Sequence, residues 1–202
     1  MKKLFLWMVV IIITGLFSFK PVGEPLPIGS NLPHANTKMK DISGKEVSFK
    51  DAMKTNGLLV MFSCNTCPFV IKHQTKTKEV CEFALKNNIG VILLNSNEAK
   101  RDDDDSFNDM VAYAQTQEYK WYYTVDENST IANTFGATMT PESFLFNKDG
   151  KLVYHGAIND KPRDPNNGNV EYLKTAMSEM VSGKSVTTTT YPQFGCSIKR
   201  KG

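Results

Sequence analysis

The residues of this chain that are best suited to chemistry are two cysteines with two residues between them, in Cys64-Asn65-Thr66-Cys67-Pro68. They follow an apolar run of strand length, Gly57–Phe62, and they open a stretch at 66–88 that we predict to be helical. A cysteine at a helix N-terminus has a depressed thiol pKa, because unpaired N–H groups and the helix dipole stabilise the thiolate. We therefore predict thiol–disulfide exchange, with an exposed Cys64 at the helix N-cap as nucleophile and Cys67 as the resolving cysteine.

A structural disulfide or one half of a zinc site is the alternative interpretation of the same pair. Zinc requires two further ligands, and the sequence has no second Cys-x-x-Cys and no His-x3-His. We therefore predict a redox pair with no metal and no cofactor. Asn65 and Thr66 lie between the cysteines, where we expect them to contact the substrate and to tune the redox potential.

The two remaining cysteines lie far from the pair along the chain. Cys81 comes four helical turns after Cys67, about 21 Å away on a straight helix, so we predict a buried free thiol out of disulfide reach. Cys196 lies in the C-terminal segment 183–202, where we expect an inert thiol. The alternative is a third redox thiol that a mobile tail would bring to Cys64.

The N-terminus has the pattern of an export signal. Lys2 and Lys3 precede Leu4–Phe19, which has no charged residue. A cleaved signal peptide within residues 1–20 is the first interpretation, and an uncleaved membrane anchor is the second. Export predicts a periplasmic or other extracytoplasmic location, where disulfides are stable.

The distribution of charge argues against nucleic acid binding. The chain has 24 basic and 21 acidic residues, and three of the basic residues fall within residues 1–20. The remainder is neutral and lacks the positive field that a phosphate backbone requires. We expect no nucleic acid partner, and membrane contact only through residues 1–20 if they are not cleaved.

The pattern of apolar runs and turns predicts one α/β domain at residues 21–182, with a mixed sheet and helices on both faces. The acidic run Asp102–Asp105 is interpreted as the approach to a helix N-terminus rather than as a calcium loop. The other predicted elements are an N-terminal hairpin (Met39–Ile42 and Lys45–Phe49), strands Gly90–Leu94 and Trp121–Val125, helices Ser106–Gln117, Ser129–Phe135 and Val170–Val181, and a second hairpin (Ser143–Phe146 and Leu152–Gly156).

A strand, a Cys-x-x-Cys, a helix and then Thr140-Pro141 before a terminal hairpin resemble the thioredoxin fold over residues 25–182. The resemblance implies an α/β thioredoxin-like fold with a central mixed sheet, and a catalytic cis-proline at Pro141 that lies against the cysteines. It also implies that Thr140 contacts the substrate, and that the partners are protein or small-molecule disulfides and thiols with a separate electron donor. The motifs most similar to the peroxiredoxin-like branch of the redoxins are Cys64–Phe69, Thr140–Phe146, Asp149-Gly150, Tyr154–Ile158 and Phe194–Lys199.

The sequence departs from thioredoxins at Leu58, where those proteins have a buried acid six residues before the first cysteine. Glu142 is then the nearest acid that could relay a proton, and an exposed charge on a strand is the alternative interpretation. His73 is expected on a solvated helix face, because Lys72–Lys78 contains no apolar residue. His155 is expected to have a packing role in its hairpin.

Two other functions compete with disulfide exchange. A peroxidase of the peroxiredoxin type uses Pro-x3-Thr-x2-Cys, but Val60 and Cys64 occupy the proline and threonine positions here. A copper-carrying chaperone of this fold uses Cys-x3-Cys-Pro and a histidine near the later proline. The spacing here is two residues, and no histidine lies between His73 and His155, so exchange remains the first prediction.

Overall fold

The computed structural model describes residues 23–201. The predicted signal segment at residues 1–20 lies outside the described residues. Among residues 23–201, no helix is both long enough and apolar enough to cross a membrane.

A mixed sheet forms the centre of the molecule, as predicted, and it has six strands. Its middle strand pairs in parallel with the next strand of the chain and antiparallel with the C-terminal hairpin. The two parallel central strands are buried along their whole length, which explains why their sequences are continuously apolar. In spatial order the strands are β5 (Tyr122–Val125), β4 (Gly90–Asn95), β3 (Leu58–Ser63), β7 (Glu142–Phe146), β8 (Leu152–Gly156) and β9 (Thr190–Tyr191).

Helices cover both faces of this sheet, and each face has its own apolar core. One face is covered by α2 (Pro68–Lys86), α3 (Phe107–Thr116) and α5 (Tyr172–Val181). The other is covered by α1 (Phe49–Ala52) and α4 (Thr130–Phe135). Three short 3₁₀ turns connect these elements at Glu98–Lys100, Glu127–Ser129 and Pro165–Asn167.

The N-terminal hairpin is shorter than predicted. It consists of β1 (Met39–Lys40) and β2 (Glu46–Val47), and Phe49 belongs to a helix rather than to a strand. The reason is a capping box, because the Ser48 side chain accepts a hydrogen bond from the Asp51 N–H and the Asp51 carboxylate accepts one from the Ser48 N–H.

The C-terminal segment after α5 packs back onto the domain. It contributes β9 to the edge of the central sheet, parallel to β8. It then forms β10 (Cys196–Ser197), which pairs antiparallel with β6 (Met139–Thr140). Residue 196 is therefore placed directly beside the strand that precedes Pro141.

Phe135 is the centre of an aromatic cluster beneath the strands that carry the site. The centroid of its ring lies within 6 Å of the centroids of four other rings, those of Phe49, Phe62, Phe144 and Phe146. We expect Phe135→Ala to lower the free energy of unfolding by about 3–5 kcal/mol, because it leaves a cavity among rigid rings. Urea denaturation measures this loss.

Ile71→Ala is the matched control, because Ile71 is an exposed apolar residue on α2. Its effect should stay within about 0.5 kcal/mol. A similar loss for both variants would contradict the importance of the aromatic cluster.

Candidate active site

The helix that carries the cysteines begins at Pro68, and its N-cap is Cys67. The prediction that Cys64 occupies the N-cap is therefore wrong. Proline disfavours helical geometry in the residue before it, and Cys67 has extended dihedrals (φ −64°, ψ 123°). The helix dipole consequently acts most directly on Cys67, and Cys64 lies in the turn between β3 and α2.

Cys64 is a free thiol with only 1% of its surface exposed, whereas we expected an exposed nucleophile. Burial raises the pKa of the Cys64 thiol, and the negative charge of Asp105 raises it further. A hydrogen bond with the Thr140 hydroxyl, at 3.5 Å from the sulfur, opposes this rise, as do the backbone N–H groups of Cys67 and Thr66. The expected depression of this pKa is therefore absent in this state of the protein, because desolvation outweighs the hydrogen bonds.

Cys67 forms a disulfide with Cys196, and the two Cα atoms are 6.2 Å apart. The expectation of an inert thiol at Cys196 is therefore wrong. The alternative prediction was a bond between Cys196 and Cys64, but in the structure Cys196 is bonded to Cys67 instead. The pairing of β10 with β6 explains the bond, because it places Cys196 directly opposite Thr140. The Sγ atom of Cys67 lies 3.5 Å from the carbonyl oxygen of the same Thr140.

The peptide bond between Thr140 and Pro141 is cis, as the family resemblance implies. Glu142 follows it and is fully buried, so it is not an exposed charge on a strand. One carboxylate oxygen of Glu142 accepts the N–H groups of Thr138 and Met139, at 2.9 and 3.0 Å. These bonds fix the backbone that presents Thr140 to the cysteines.

The second carboxylate oxygen of Glu142 lies 2.7 Å from Nε2 of His155. The His155 ring also stacks on Phe144, with 4.3 Å between ring centroids. The predicted packing role of His155 is therefore accompanied by a buried hydrogen bond to Glu142 that the sequence did not indicate.

The backbone of Asn65 is held by a second buried carboxylate, that of Asp105. Asp105 accepts the N–H of Asn65 at 2.8 Å, and it also accepts the side-chain amides of Asn95 and Asn97. The Asn65 side chain accepts a bond from the hydroxyl of Tyr123, whereas Thr66 is exposed. Of the two residues between the cysteines, Thr66 is thus the one that a substrate can reach.

Sequence reasoning missed the role of Asp105. The four acids of Asp102–Asp105 look alike in the sequence, and helix α3 is capped by Ser106. Only Asp105 of the run is buried. Nothing in the run itself distinguishes this position, since its three donors come from a different turn and from the end of β4.

Cys81 is a fully buried free thiol within the apolar core, as predicted, and burial raises its pKa. His73 is also buried, so the prediction of a solvated face is wrong. The cause is the loop before α5, whose Pro162 carbonyl lies 2.7 Å from Nε2 of His73. Desolvation consequently lowers the pKa of His73.

No group of three or more histidine, cysteine or acidic side chains within residues 23–201 is arranged to hold a metal ion. Cys64 and Cys67 have Thr140 beside them, and His155 is engaged with Glu142. The site contains the sulfur, hydroxyl and backbone groups that disulfide exchange uses.

Comparison with known proteins places the chain among redox proteins of this fold. The Redoxin family matches residues 22–173. The thiol-disulfide oxidoreductase ResA of Bacillus thuringiensis (strain Al Hakam) is 27% identical over 141 residues, which cover 69% of this chain and 73% of the relative.

Two solved structures resemble almost the whole chain. An uncharacterized conserved protein from Geobacillus kaustophilus has a TM-score of 0.79 at 30% identity, covering 87% of this chain and 93% of its own. A hypothetical protein from Sinorhizobium meliloti 1021 has a TM-score of 0.80 at 27% identity, covering 89% and 97%.

The contact between Asp105 and the cysteine turn leads to a prediction about the Cys64 thiol. Asp105→Asn removes a negative charge that disfavours the thiolate, so the pKa of Cys64 should fall. Titration of the thiolate absorbance near 240 nm, in a Cys81→Ala background, measures this pKa.

Asp103→Asn is the matched control, because Asp103 is an exposed neighbour that pairs with Lys100. The pKa of Cys64 should be the same in this variant as in the parent protein. An unchanged or higher Cys64 pKa in Asp105→Asn would contradict the electrostatic role of Asp105.

Proposed function

The chain belongs to the Redoxin family and is a thioredoxin-like thiol–disulfide oxidoreductase, and we propose that it works outside the cytoplasm by exchange at Cys64 and Cys67. The reaction starts once a thiol donor has reduced the Cys67–Cys196 bond, and the Cys64 thiolate then attacks a substrate disulfide, forms a mixed disulfide and releases the first substrate thiol. Cys67 then attacks Cys64, which releases the second substrate thiol and leaves a Cys64–Cys67 bond. The reverse sequence oxidises a substrate dithiol.

The observation that carries this proposal is the grouping of the sulfur atoms beside Thr140. The Cys64 sulfur lies 3.5 Å from its hydroxyl and the Cys67 sulfur 3.5 Å from its carbonyl oxygen. The cysteines pack in one apolar cluster with Val70, Phe69 and Cys196. A thiol that is held beside a disulfide sulfur has the proximity that exchange requires.

The substrate class that we propose is protein thiols and disulfides, with a separate thiol donor. The name of the Bacillus relative supports a thiol–disulfide substrate. The exposure of Thr66 supports docking of an extended segment over the cysteine turn. Thr140 is buried and paired with Cys196, so the expected contact between Thr140 and a substrate is absent in this state of the protein. The Glu142 carboxylate has both oxygens engaged, so we assign it the positioning of Thr140 rather than proton relay.

The proposed location rests on the sequence at the N-terminus and on the cysteine chemistry. Lys2 and Lys3 followed by the uncharged Leu4–Phe19 have the pattern of an export signal. The disulfide between Cys67 and Cys196 is of a kind that persists in oxidising compartments.

Both cysteines of the motif should be essential for exchange. We expect Cys64→Ser and Cys67→Ser each to slow reduction of insulin disulfides by at least about a hundredfold, because each removes one of the two sulfurs that must react in sequence. Turbidity of insulin in dithiothreitol measures the rate. Cys81→Ala is the matched control and should keep the parent rate, because its thiol is buried away from the site.

Two results would contradict the proposed exchange. One is insulin reduction at the parent rate by either cysteine variant. The other is consumption of hydrogen peroxide with dithiothreitol by a protein that does not act on insulin, which would favour the peroxidase.

Interruption of the apolar segment should block export. Ile12→Arg places a charge in the middle of Leu4–Phe19, so the variant should remain in the cytoplasm. Fractionation of cells that express the full chain measures its location. An extracytoplasmic Ile12→Arg protein, or a cytoplasmic parent protein, would contradict the proposal.

A further inference from the structure

We propose that Cys196 is a third redox-active cysteine, which leaves as a thiol when Cys64 attacks Cys67 and which re-forms its bond when the exchange reverses. The inference rests on the proposed function. In this step the Cys64–Cys67 bond forms and the Cys67–Cys196 bond breaks. The proton that Cys64 loses is taken up by Cys196, so the step needs no outside oxidant or reductant.

Thr140 brings the three cysteines together. Its hydroxyl contacts the Cys64 sulfur, and its carbonyl oxygen contacts the Cys67 sulfur. Its backbone lies opposite Cys196 in the antiparallel pair of β6 and β10. Cys64 also occupies the turn that ends at Cys67, and the N–H of Cys67 is directed at the Cys64 sulfur. The free thiol is therefore beside the sulfur that the two alternative disulfides share.

The chain on the N-terminal side of Cys196 is fitted closely to the site. Gly195 packs so tightly against the carbonyl oxygen of Thr140 that a Cβ atom at this position would overlap it. The ring of Phe194 packs edge-on against Phe69 at 4.9 Å, beneath the Arg163 guanidinium at 3.9 Å. These contacts do not involve a cysteine, so breaking the disulfide does not itself remove any of them.

The chain on the C-terminal side is anchored separately. Ile198 is buried in the core and donates its N–H to Thr138 at 2.9 Å. Lys199 donates its N–H to the Asn97 side chain at 2.8 Å, and its carbonyl oxygen accepts the N–H of Ala99. Cys196 therefore lies between two anchors, and a released thiol stays at an effective concentration on the order of millimolar or higher.

The segment between the anchors can move at small cost. Strand β10 has only two residues, of which Ser197 is exposed and Cys196 is half-buried. Few contacts oppose local opening of such a segment. A purely structural disulfide would have no use for a free thiol beside one of its sulfurs, whereas an exchanging disulfide requires one.

The test labels free thiols in the oxidised full-length protein with N-ethylmaleimide and then maps the disulfides after acid quenching. At the outset Cys196 is bonded and cannot react. After a shift from about pH 5 to about pH 8, which favours the Cys64 thiolate, Cys196 should become labelled as a Cys64–Cys67 bond appears.

The matched variants are Cys64→Ser and Cys81→Ala. Cys64→Ser lacks the attacking thiol, so labelling of Cys196 should slow by at least about tenfold. Cys81→Ala lacks the other free thiol, and in this variant N-ethylmaleimide should label Cys196 at the parent rate.

Three results would overturn the inference. They are no labelling of Cys196 in the parent protein, equal labelling in Cys64→Ser, and labelling of Cys67 in place of Cys196, which would place the attack on the other sulfur. If Cys64→Ser and Cys67→Ser still lose insulin reduction, the proposed function stands and only this inference fails. If either variant keeps insulin reduction at the parent rate, the proposed function fails as well.

Discussion

The buried carboxylate of Glu142 fixes the backbone on which the whole site depends. It accepts the N–H groups of Thr138 and Met139, so the strand before Pro141 has one conformation relative to the sheet. A buried carboxylate is costly unless it is fully bonded, and the contact with His155 satisfies its second oxygen. From this fixed strand, Thr140 contacts both cysteines of the motif and also pairs with Cys196.

Asp105 holds the other side of the site in the same way. Its carboxylate fixes the backbone of Asn65 while it bonds to Asn95 and Asn97. Asn97 in turn accepts the N–H of Lys199, which anchors the end of the chain. The turn of the cysteine motif, the end of β4 and the C-terminal segment are thus joined through one hydrogen-bond network, although they are far apart in the sequence.

Local patterns were sufficient to predict five of the six strands of the sheet, helices α2 to α5 and the cysteine motif, because continuous apolar strands and amphipathic helices are encoded within about ten residues. The position of Cys196 depends on a chain path that returns to the sheet 129 residues after Cys67, which local patterns do not encode. The same holds for His73, which is buried only because the loop at Pro162 folds over it. Glu142 and Asp105 resemble surface acids in the sequence, and local patterns do not encode the contacts with His155 and with Asn65 that accompany their burial.

Burial of Cys64 connects its reactivity with access to the site. The desolvation that raises its pKa also keeps solvent oxidants away from the sulfur, so the thiol is protected while the segment around Cys196 is closed. In the proposed exchange, opening of that segment would admit water to Cys64 and lower the cost of forming its thiolate, and the Thr140 hydroxyl at 3.5 Å is placed to stabilise the charge. Cys67, at the N-cap of α2, belongs to both alternative disulfides, so the helix dipole acts on its thiolate only in the fully reduced protein and in the mixed disulfide between Cys64 and a substrate. In the proposed exchange, opening of this one short segment would therefore activate the nucleophile and expose it at the same time.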